Sequence, residues 1–422
     1  MRYGGMNFAD IFHAFARIGL LSFGGPAAQI ALMHRELVDE RKWLTEAEFL
    51  RALSFCMMLP GPEAMQLATY AGWKLRGISG GILAGLLFVL PGAAVITALA
   101  LLYLSFGDQP LIRAAFVGVK AAVIAIVIEA LLRVAKRALK GRLHIALAAA
   151  AFLALAVFRL PFPIVILAAG LIGAFAVSPV QTAAQKAPPL GAALRVASIA
   201  GALWVAPLLA AKSAGASFLL EIGIFFSKLA VVTFGGAYAV LAYIAQEVVT
   251  GRGWLSPLQM VDALGLAETT PGPLILVTQF VAILAGAVEG GIPLALLAGA
   301  MTLWVTFVPC FLWIFAGAPY IDWLAGKPRL SAALSGITAA VVGVILNLSV
   351  WFALHVGFRD VGEVHLGPAH LPLPDPASAD MLAILLAIVA SFLLLKRHLG
   401  LGKVLAISAA LGFVLGGWAG LG

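Results

Sequence analysis

Nine stretches of this 422-residue chain stay apolar over the length of a membrane crossing: 79–106, 110–132, 143–159, 161–177, 193–211, 290–316, 330–355, 379–396 and 401–421. A helix needs about 20 such residues, within a range of roughly 17–25, to cross the hydrocarbon core of a bilayer. Composition agrees. Hydrophobic residues make up 63% of the chain and charged residues 11%, against about 45–50% and about 25% in an ordinary globular domain. These values exclude a soluble enzyme of the usual kind, a disordered chain and a nucleic-acid binder. The formal net charge of +8 sits in short loops, where membrane proteins carry it, and not on one face that could meet phosphates. Cys56 and Cys310 lie inside apolar segments and give neither a disulfide framework nor a metal spacing. The seven histidines are scattered without a ligand pattern. Asp10, His13 and Arg17 interrupt the first apolar segment, so it lacks the h-region of a cleavable signal peptide. The chain reads as an all-α polytopic membrane protein whose first partner is the lipid bilayer.

Two further regions are apolar but broken. Residues 8–75 break at Gly24-Gly25-Pro26 and at Pro60-Gly61-Pro62, and residues 216–287 break at Gly235-Gly236 and at Pro271-Gly272-Pro273. In the first region the outer pieces, 8–23 and 63–75, run 16 and 13 residues, and the stretch between the breaks is split by the polar segment 34–48, so each apolar piece is short for a full crossing. A Pro-Gly-Pro sequence removes two backbone donors and disfavours helix on both sides. Lipid tolerates such a break only where it is buried in protein or lines a cavity. Such pieces either cross fully or re-enter as hairpins. Two polar linkers remain, Ser178–Gly191 and Phe358–Ala379, and the second reads as an extramembrane loop.

The broken regions repeat each other. Ser22-Phe23-Gly24-Gly25 matches Thr233-Phe234-Gly235-Gly236, Trp43-Leu44-Thr45 matches Trp254-Leu255-Ser256, and Pro60-Gly61-Pro62 matches Pro271-Gly272-Pro273, all at an offset of 211 residues. Arg17/Lys228, Glu36/Glu247 and Arg41/Arg252 share that offset. Further on it becomes 218, pairing Pro91 with Pro309 and Gly118 with Gly336. The domain reading is therefore one repeat over 1–192, a linking helix over 193–211 and a second repeat over 212–422. An even number of passes per repeat makes the single linking span invert the second one. Lys and Arg follow that pattern. Arg35, Arg41, Lys42, Lys74, Arg76, Arg133, Lys136, Arg137, Lys140, Arg142, Lys186 and Arg195 crowd the loops that would share one side in the first repeat. In the second, the corresponding loops hold little more than Arg252 and Arg359, and Lys327, Arg329, Lys396, Arg397 and Lys403 lie in the opposite set. Basic residues mark the cytoplasmic side, so the expected architecture is an inverted-topology repeat, typical of transporters. It has an odd total near 13 segments, the N-terminus in the cytoplasm and the C-terminus in the periplasm.

Phe23-Gly24-Gly25-Pro26, the run from Leu59 to Ala68, Phe234-Gly235-Gly236-Ala237-Tyr238 and the run from Gly265 to Leu274 resemble the chromate ion transporter family, in its long-chain, two-domain branch. The resemblance covers roughly residues 8–350. It implies a bacterial cytoplasmic-membrane protein that exports chromate and thereby confers chromate resistance, with sulfate as the look-alike anion. A second reading is proton-coupled uptake of sulfate or another oxyanion. No cofactor and no enzymatic activity are expected, since His-Glu-x-x-His and nucleotide-binding loops are missing from the sequence. A second copy of the chain is a candidate partner.

The candidate site residues follow from the breaks. A broken helix turns backbone N–H groups and a positive dipole end inward at membrane depth, which suits an oxyanion. Gly61 and Gly272 are the central residues of these breaks; packing kinks are the plainer alternative. Gly24, Gly25, Gly235 and Gly236 allow close helix crossing or approach of an anion, with Ser22 and Thr233 beside them as donors. Gln66, Thr269 and Thr270 are further donors next to the breaks. Arg17 and Lys228, each seven residues before its first motif glycine, either draw a dianion inward or snorkel to the interface. Glu63 and Glu268 flank the Pro-Gly-Pro sequences and are candidates for proton coupling; Glu63 could instead complement a helix dipole. Lys120 and Glu129 face opposite ways on one helix and read as polar ties between helices. No residue is assigned to a metal.

Overall fold

The computed structural model describes residues 7–176, 188–234 and 237–418, and among these helix dominates. Among the described residues, five helices are long and apolar enough to cross a membrane: Glu63–Phe106, Pro110–Ala138, Leu190–Ser213, Leu274–Leu324 and Pro328–Gly357. Shorter apolar helices accompany them. Many large apolar side chains on their outer faces are exposed, among them Leu167, Phe175 and Leu194, as a lipid-facing surface requires. The chain forms two compact units. One holds Met1–Ala100, Ser178–Ala237 and Thr270–Ser331; the other holds Leu101–Val177, Tyr238–Thr269 and Ala332–Gly422. Neither unit is a repeat of the sequence, because each draws on both.

In the first unit the chain doubles back at its breaks. Helix Phe8–Leu21 stops at Ser22, and Gly25–His34 continues as a π-helical turn, Arg35–Glu40. Arg17 Nη1 lies 2.9 Å from Glu36 Oε1, so the second piece runs back along the first. Helix Glu46–Cys56 starts on a capping box in which Thr45 and Glu48 satisfy each other's backbone N–H. Lys74 Nζ reaches Glu48 Oε1 at 2.8 Å, which returns the piece after Pro60-Gly61-Pro62 to the level where the hairpin began. Both pairs of short pieces in the first repeat are therefore folded-back hairpins.

Helix Glu63–Phe106 is itself broken, at Arg76 (φ −149°, ψ 32°) and Gly77 (φ 66°, ψ −156°). The Val277–Gly317 helix of the second repeat breaks in nearly the same way, at Gly290 (φ −157°, ψ 25°) and Gly291 (φ 72°, ψ −169°). The two sequences thus fold to one local backbone path at a second place besides the motif breaks. Leu190–Ser213 contains Pro207, which cannot donate to the carbonyl four residues back. Trp304 Nε1 donates to that carbonyl, Leu203 O, at 2.8 Å, so the acceptor that the proline leaves is satisfied.

In the second unit, helix Pro110–Ala138 packs on Met381–Ser391 and Leu401–Trp418. Gly118 abuts the Ser408 carbonyl, and Gly336 of helix Pro328–Gly357 abuts the Ala169 carbonyl of helix Phe162–Phe175. Small residues permit such close crossings without a hydrophobic driving force. Lys120 and Glu129 do take separate partners: Lys120 Nζ lies 3.7 Å from Asp262 Oδ1, and Glu129 pairs with Arg133 at 2.5 Å. The linker expected outside the membrane forms an exposed antiparallel hairpin, Val361–Leu366 with Ala369–Pro374.

Candidate substrate site

The first unit gathers the motif breaks. Ser22 and Thr233 cap helices Phe8–Leu21 and Ser217–Val232. Each hydroxyl donates back into its own helix, Ser22 Oγ to Ile18 O at 2.5 Å and Thr233 Oγ1 to Leu229 O at 2.5 Å. Their own carbonyls lie where the helix has stopped and has no donor left for them. The Pro-Gly-Pro breaks supply the donors crosswise: Gly61 N–H donates to Thr233 O at 2.8 Å, and Gly272 N–H to Ser22 O at 2.9 Å. The first repeat's Pro-Gly-Pro is tied to the second repeat's helix end, and the reverse.

Geometry explains the glycines at these two positions. Gly61 and Gly272 sit at φ 119° and 89°, where an L side chain is strained. A Cβ on Gly61 would stand 2.9 Å from Gln66 Nε2 and 3.0 Å from Cys310 Sγ. On Gly272 it would stand 3.2 Å from Leu276 Cδ1, 3.4 Å from Phe88 O and 3.5 Å from Gly92 Cα. Cys310 and Gly92 are themselves related by the 218-residue offset, so each break rests on the matching wall of the other repeat.

Three buried glutamines brace this arrangement. Gln66 Nε2 donates to Pro60 O at 2.7 Å. Gln29 Nε2 donates to Gly272 O at 2.6 Å and to Ser22 O at 3.2 Å. Gln279 Nε2 donates to Thr97 Oγ1 at 2.8 Å and to Ala93 O at 3.3 Å. The Oε1 atom of each is buried without a hydrogen bond. Gln29 escaped the sequence reading. Its signal was there: it is the lone amide in the apolar run from Gly25 to Met33, directly after Phe23-Gly24-Gly25-Pro26.

The remaining sequence-derived residues divide. Gly24 is left-handed at φ 84° and Gly25 opens the next helix at φ 76°. Gly235 and Gly236 lie outside the described residues. Arg17, which sequence matched to Lys228, is held by Glu36 at 2.9 Å and Glu40 at 3.6 Å. Glu36 is fully buried and also has Arg41 Nε at 3.5 Å; both contacts are close enough for ion pairing but not aligned as hydrogen bonds. Lys228 is exposed, and no ion pair holds it among the described residues. Thr270 is buried and Glu63 is half-buried.

Glu268 and Thr269 belong to the second unit. Tyr238 Oη donates to Glu268 Oε1 at 2.7 Å, and the carboxyl is buried. Thr269 is exposed and its hydroxyl donates to Leu266 O at 2.7 Å. The same unit buries a second acid that sequence reasoning passed over. Asp262 accepts from Tyr103 Oη at 2.9 Å and has Lys120 Nζ at 3.7 Å. An acid alone in the apolar run Met260–Ala267 was the available signal.

Comparison with known proteins decides the family. The family described as "Chromate transporter" matches the chain twice, over residues 9–174 and 220–416. The chain belongs to the chromate transporter family. A "Chromate transport protein" of Pseudomonas aeruginosa is 37% identical over 345 residues, which is 81% of this chain and 80% of that protein. A "Chromate transport protein" of Cupriavidus metallidurans is 32% identical over 410 residues, 95% of this chain and 91% of that protein. An uncharacterized transporter of Methanocaldococcus jannaschii is 25% identical over 415 residues, 96% and 94% of the two chains. No solved structure matches. Membership and the long apolar helices make the chain a multi-pass membrane transport protein. The double match gives each chromate transporter module one Pro-Gly-Pro break and one helix end, and the crosswise bonds join one module to the other within a single compact unit.

Proposed function

We propose that this chain is a secondary transporter exporting chromate across the bacterial cytoplasmic membrane, driven by the membrane potential and by proton exchange, so that its host resists chromate. Relatives named as chromate transport proteins support the substrate class. The observation that carries the mechanism is the reciprocal bonding of Gly61 N–H to Thr233 O and Gly272 N–H to Ser22 O. Each break holds a backbone donor in reserve against a carbonyl of the other repeat. A tetrahedral dianion can replace both carbonyls and accept both N–H groups, with Gln66, Thr270 and the Ser22 and Thr233 hydroxyls as neighbouring donors. Anion binding then unties one repeat from the other, and the ligand favours the untied state because it bonds there. Thr269 adds a hydroxyl beside the second break in the chain. Lys228 offers an unneutralised ammonium that draws the dianion in.

The driving force has the right sign for export. With the interior negative, an outgoing dianion releases about 4.6 kcal/mol per 100 mV. Glu63 and Glu268 are the proposed proton carriers, the latter set by Tyr238. Repeats 1–192 and 212–422 insert in opposite senses about the linking span 193–211, with about 13 segments, the N-terminus cytoplasmic and the C-terminus periplasmic. The Lys/Arg bias and the matched backbone breaks support this reading. Reporter fusions at Gly141 and Gly422 should report opposite compartments; agreement between them would sink the inversion.

The deciding experiment is uptake into inverted vesicles at an imposed potential. Chromate should accumulate and sulfate should compete. Sulfate movement without chromate movement, driven inward in right-side-out vesicles by a proton gradient, would establish the uptake reading instead. Glu63→Gln and Glu268→Gln should each keep anion binding and lose the pH dependence of flux. An unchanged pH profile in the double variant would make both carboxylates structural.

A further inference from the structure

The extramembrane hairpin brings together side chains that sequence spacing alone does not suggest. His365 and His370 are direct cross-strand partners, with their rings 4.7 Å apart. Side chains two apart on a strand share a face, which puts Glu363 beside His365. The strands close through Gly367-Pro368, with Gly367 at φ 62°, as the first central position of a II′ hairpin turn requires. One donor atom from each of Glu363, His365 and His370 lies within 4.8 Å of the other two.

We propose that Glu363, His365 and His370 form a binding site for a borderline divalent cation of the zinc class. Two imidazoles and a carboxylate are the donor set such ions prefer over Ca2+ or Mg2+. Tetrahedral zinc ligands sit roughly 3.4 Å apart, given Zn–N and Zn–O bonds of about 2.0–2.1 Å, so side-chain rotation of about 1 Å completes the site. A water takes the fourth position.

Three observations show that the site is held ready. His370 Nδ1 is buried without a hydrogen bond, although Glu363 Oε1 is 3.2 Å away. When this nitrogen is unprotonated, its lone pair is free to ligate a cation. The hairpin is docked, because His370 N–H donates to Val157 O at 2.8 Å. Two residues on, Arg159 adopts a left-handed φ of 50°, rare for a residue with a side chain, and its Nη2 meets Glu363 Oε1 at 2.5 Å. A carboxylate has two oxygens. One can ligate the cation while the other keeps Arg159, the outer-shell contact that orients ligating carboxylates. A cavity of about 430 Å³ adjoins Glu363, walled by Arg159, Gln246, Glu247, Asn347 and His355.

The test uses the full chain in detergent with its affinity tag removed. Zn2+ titration calorimetry and the visible absorption of added Co2+ are the readouts. One Zn2+ per chain is expected, with affinity falling at least about tenfold in His365→Ala, His370→Ala and Glu363→Gln. His34→Ala is the control, since His34 meets Asp39 and Glu46 at 3.3 and 2.6 Å without a second imidazole, and it should bind as the wild type does. Zn2+ should also raise the melting temperature of the wild type and leave His365→Ala unmoved. Equal Zn2+ binding by the wild type and by a monodisperse triple variant would overturn the assignment.

Discussion

The two repeats build one backbone with different polar side chains. Both carry a six-residue π-helical turn, Arg35–Glu40 and Gln246–Gly251, and both start the next helix with a capping box, at Thr45 and at Ser256. Arg41 stacks over Trp43 at 5.0 Å and Arg252 over Trp254 at 4.9 Å. Around that shared frame the chemistry departs. The Glu48–Lys74 ion pair of the first repeat falls on Gln259 and Ala285 in the second at the 211-residue offset. Glu63 corresponds to Leu274, and Glu268 to Met57. The duplicated part is what the path of the chain requires, and the divergent part is the polar and charged side chains set on that path.

The largest expected effect comes from the breaks themselves. Gly61→Ala forces a side chain into a left-handed backbone and against Gln66 and Cys310 at 2.9 and 3.0 Å. Gln66 must then leave the Pro60 carbonyl. The cost is about 2–4 kcal/mol from strain and overpacking together. Gly272→Ala meets its nearest atoms at 3.2 to 3.5 Å and should lose about 1–3 kcal/mol. Both should abolish most chromate flux in proteoliposomes, and thermal melts should rank Gly61→Ala below Gly272→Ala. The reverse order would mean that the Gln66 and Cys310 side chains give way more easily than the looser wall of Leu276, Phe88 and Gly92.

Next in size is the basic pair that the sequence presents as equivalent. Arg17 is neutralised by Glu36 and Glu40, and Glu36 is fully buried. Arg17→Ala removes a partner of a buried carboxylate. Because the Arg17 side chain is 51% exposed, water softens the loss to about 1–2 kcal/mol, below that of a fully buried pair. Lys228→Ala removes an exposed ammonium and should leave the melting temperature unchanged while lowering chromate flux, most at low ionic strength. Flux loss without destabilisation in Arg17→Ala, or destabilisation without flux loss in Lys228→Ala, would reverse the division of roles.

That division marks what a sequence can carry. Apolar runs, Pro-Gly-Pro and the constant offset are local signals, and they yielded the membrane class, the duplication, the breaks and the motif residues. Ion pairs such as Arg17–Glu36 and Lys74–Glu48 depend on a chain doubling back, and the sequence left open whether it crosses or returns. The crosswise bonds between Gly61 and Thr233, and between Gly272 and Ser22, span more than 170 residues, and no period along the chain encodes them. Asp262 and Gln29 were visible as lone polar residues in apolar runs, yet their partners, Tyr103, Lys120 and the Gly272 carbonyl, come from other segments. The histidine pair of the hairpin needed the strand register.

The smallest expected effect isolates backbone from side chain. Lys42 follows the first π turn at φ 53°, and Gly253 follows the second at φ 63°, at the same 211-residue offset. The turn demands a left-handed residue; one repeat meets the demand with glycine and the other with lysine. Lys42 is exposed, so replacing it sacrifices no packing, and a Cβ on Gly253 would meet no atom within 4 Å. Only the conformational term is left. A left-handed L residue costs roughly 1–2 kcal/mol, partly offset by the greater entropy that glycine loses on folding. Lys42→Gly should therefore stabilise the protein by up to about 1 kcal/mol, and Gly253→Ala should destabilise it by a similar amount. Thermal unfolding of the two variants beside the wild type measures both shifts. Opposite signs of nearly equal size would mean that the two turns impose the same backbone strain. If Lys42→Gly destabilises, the lysine has an interaction that glycine cannot replace, and the repeats differ in their turns as well as in their charges.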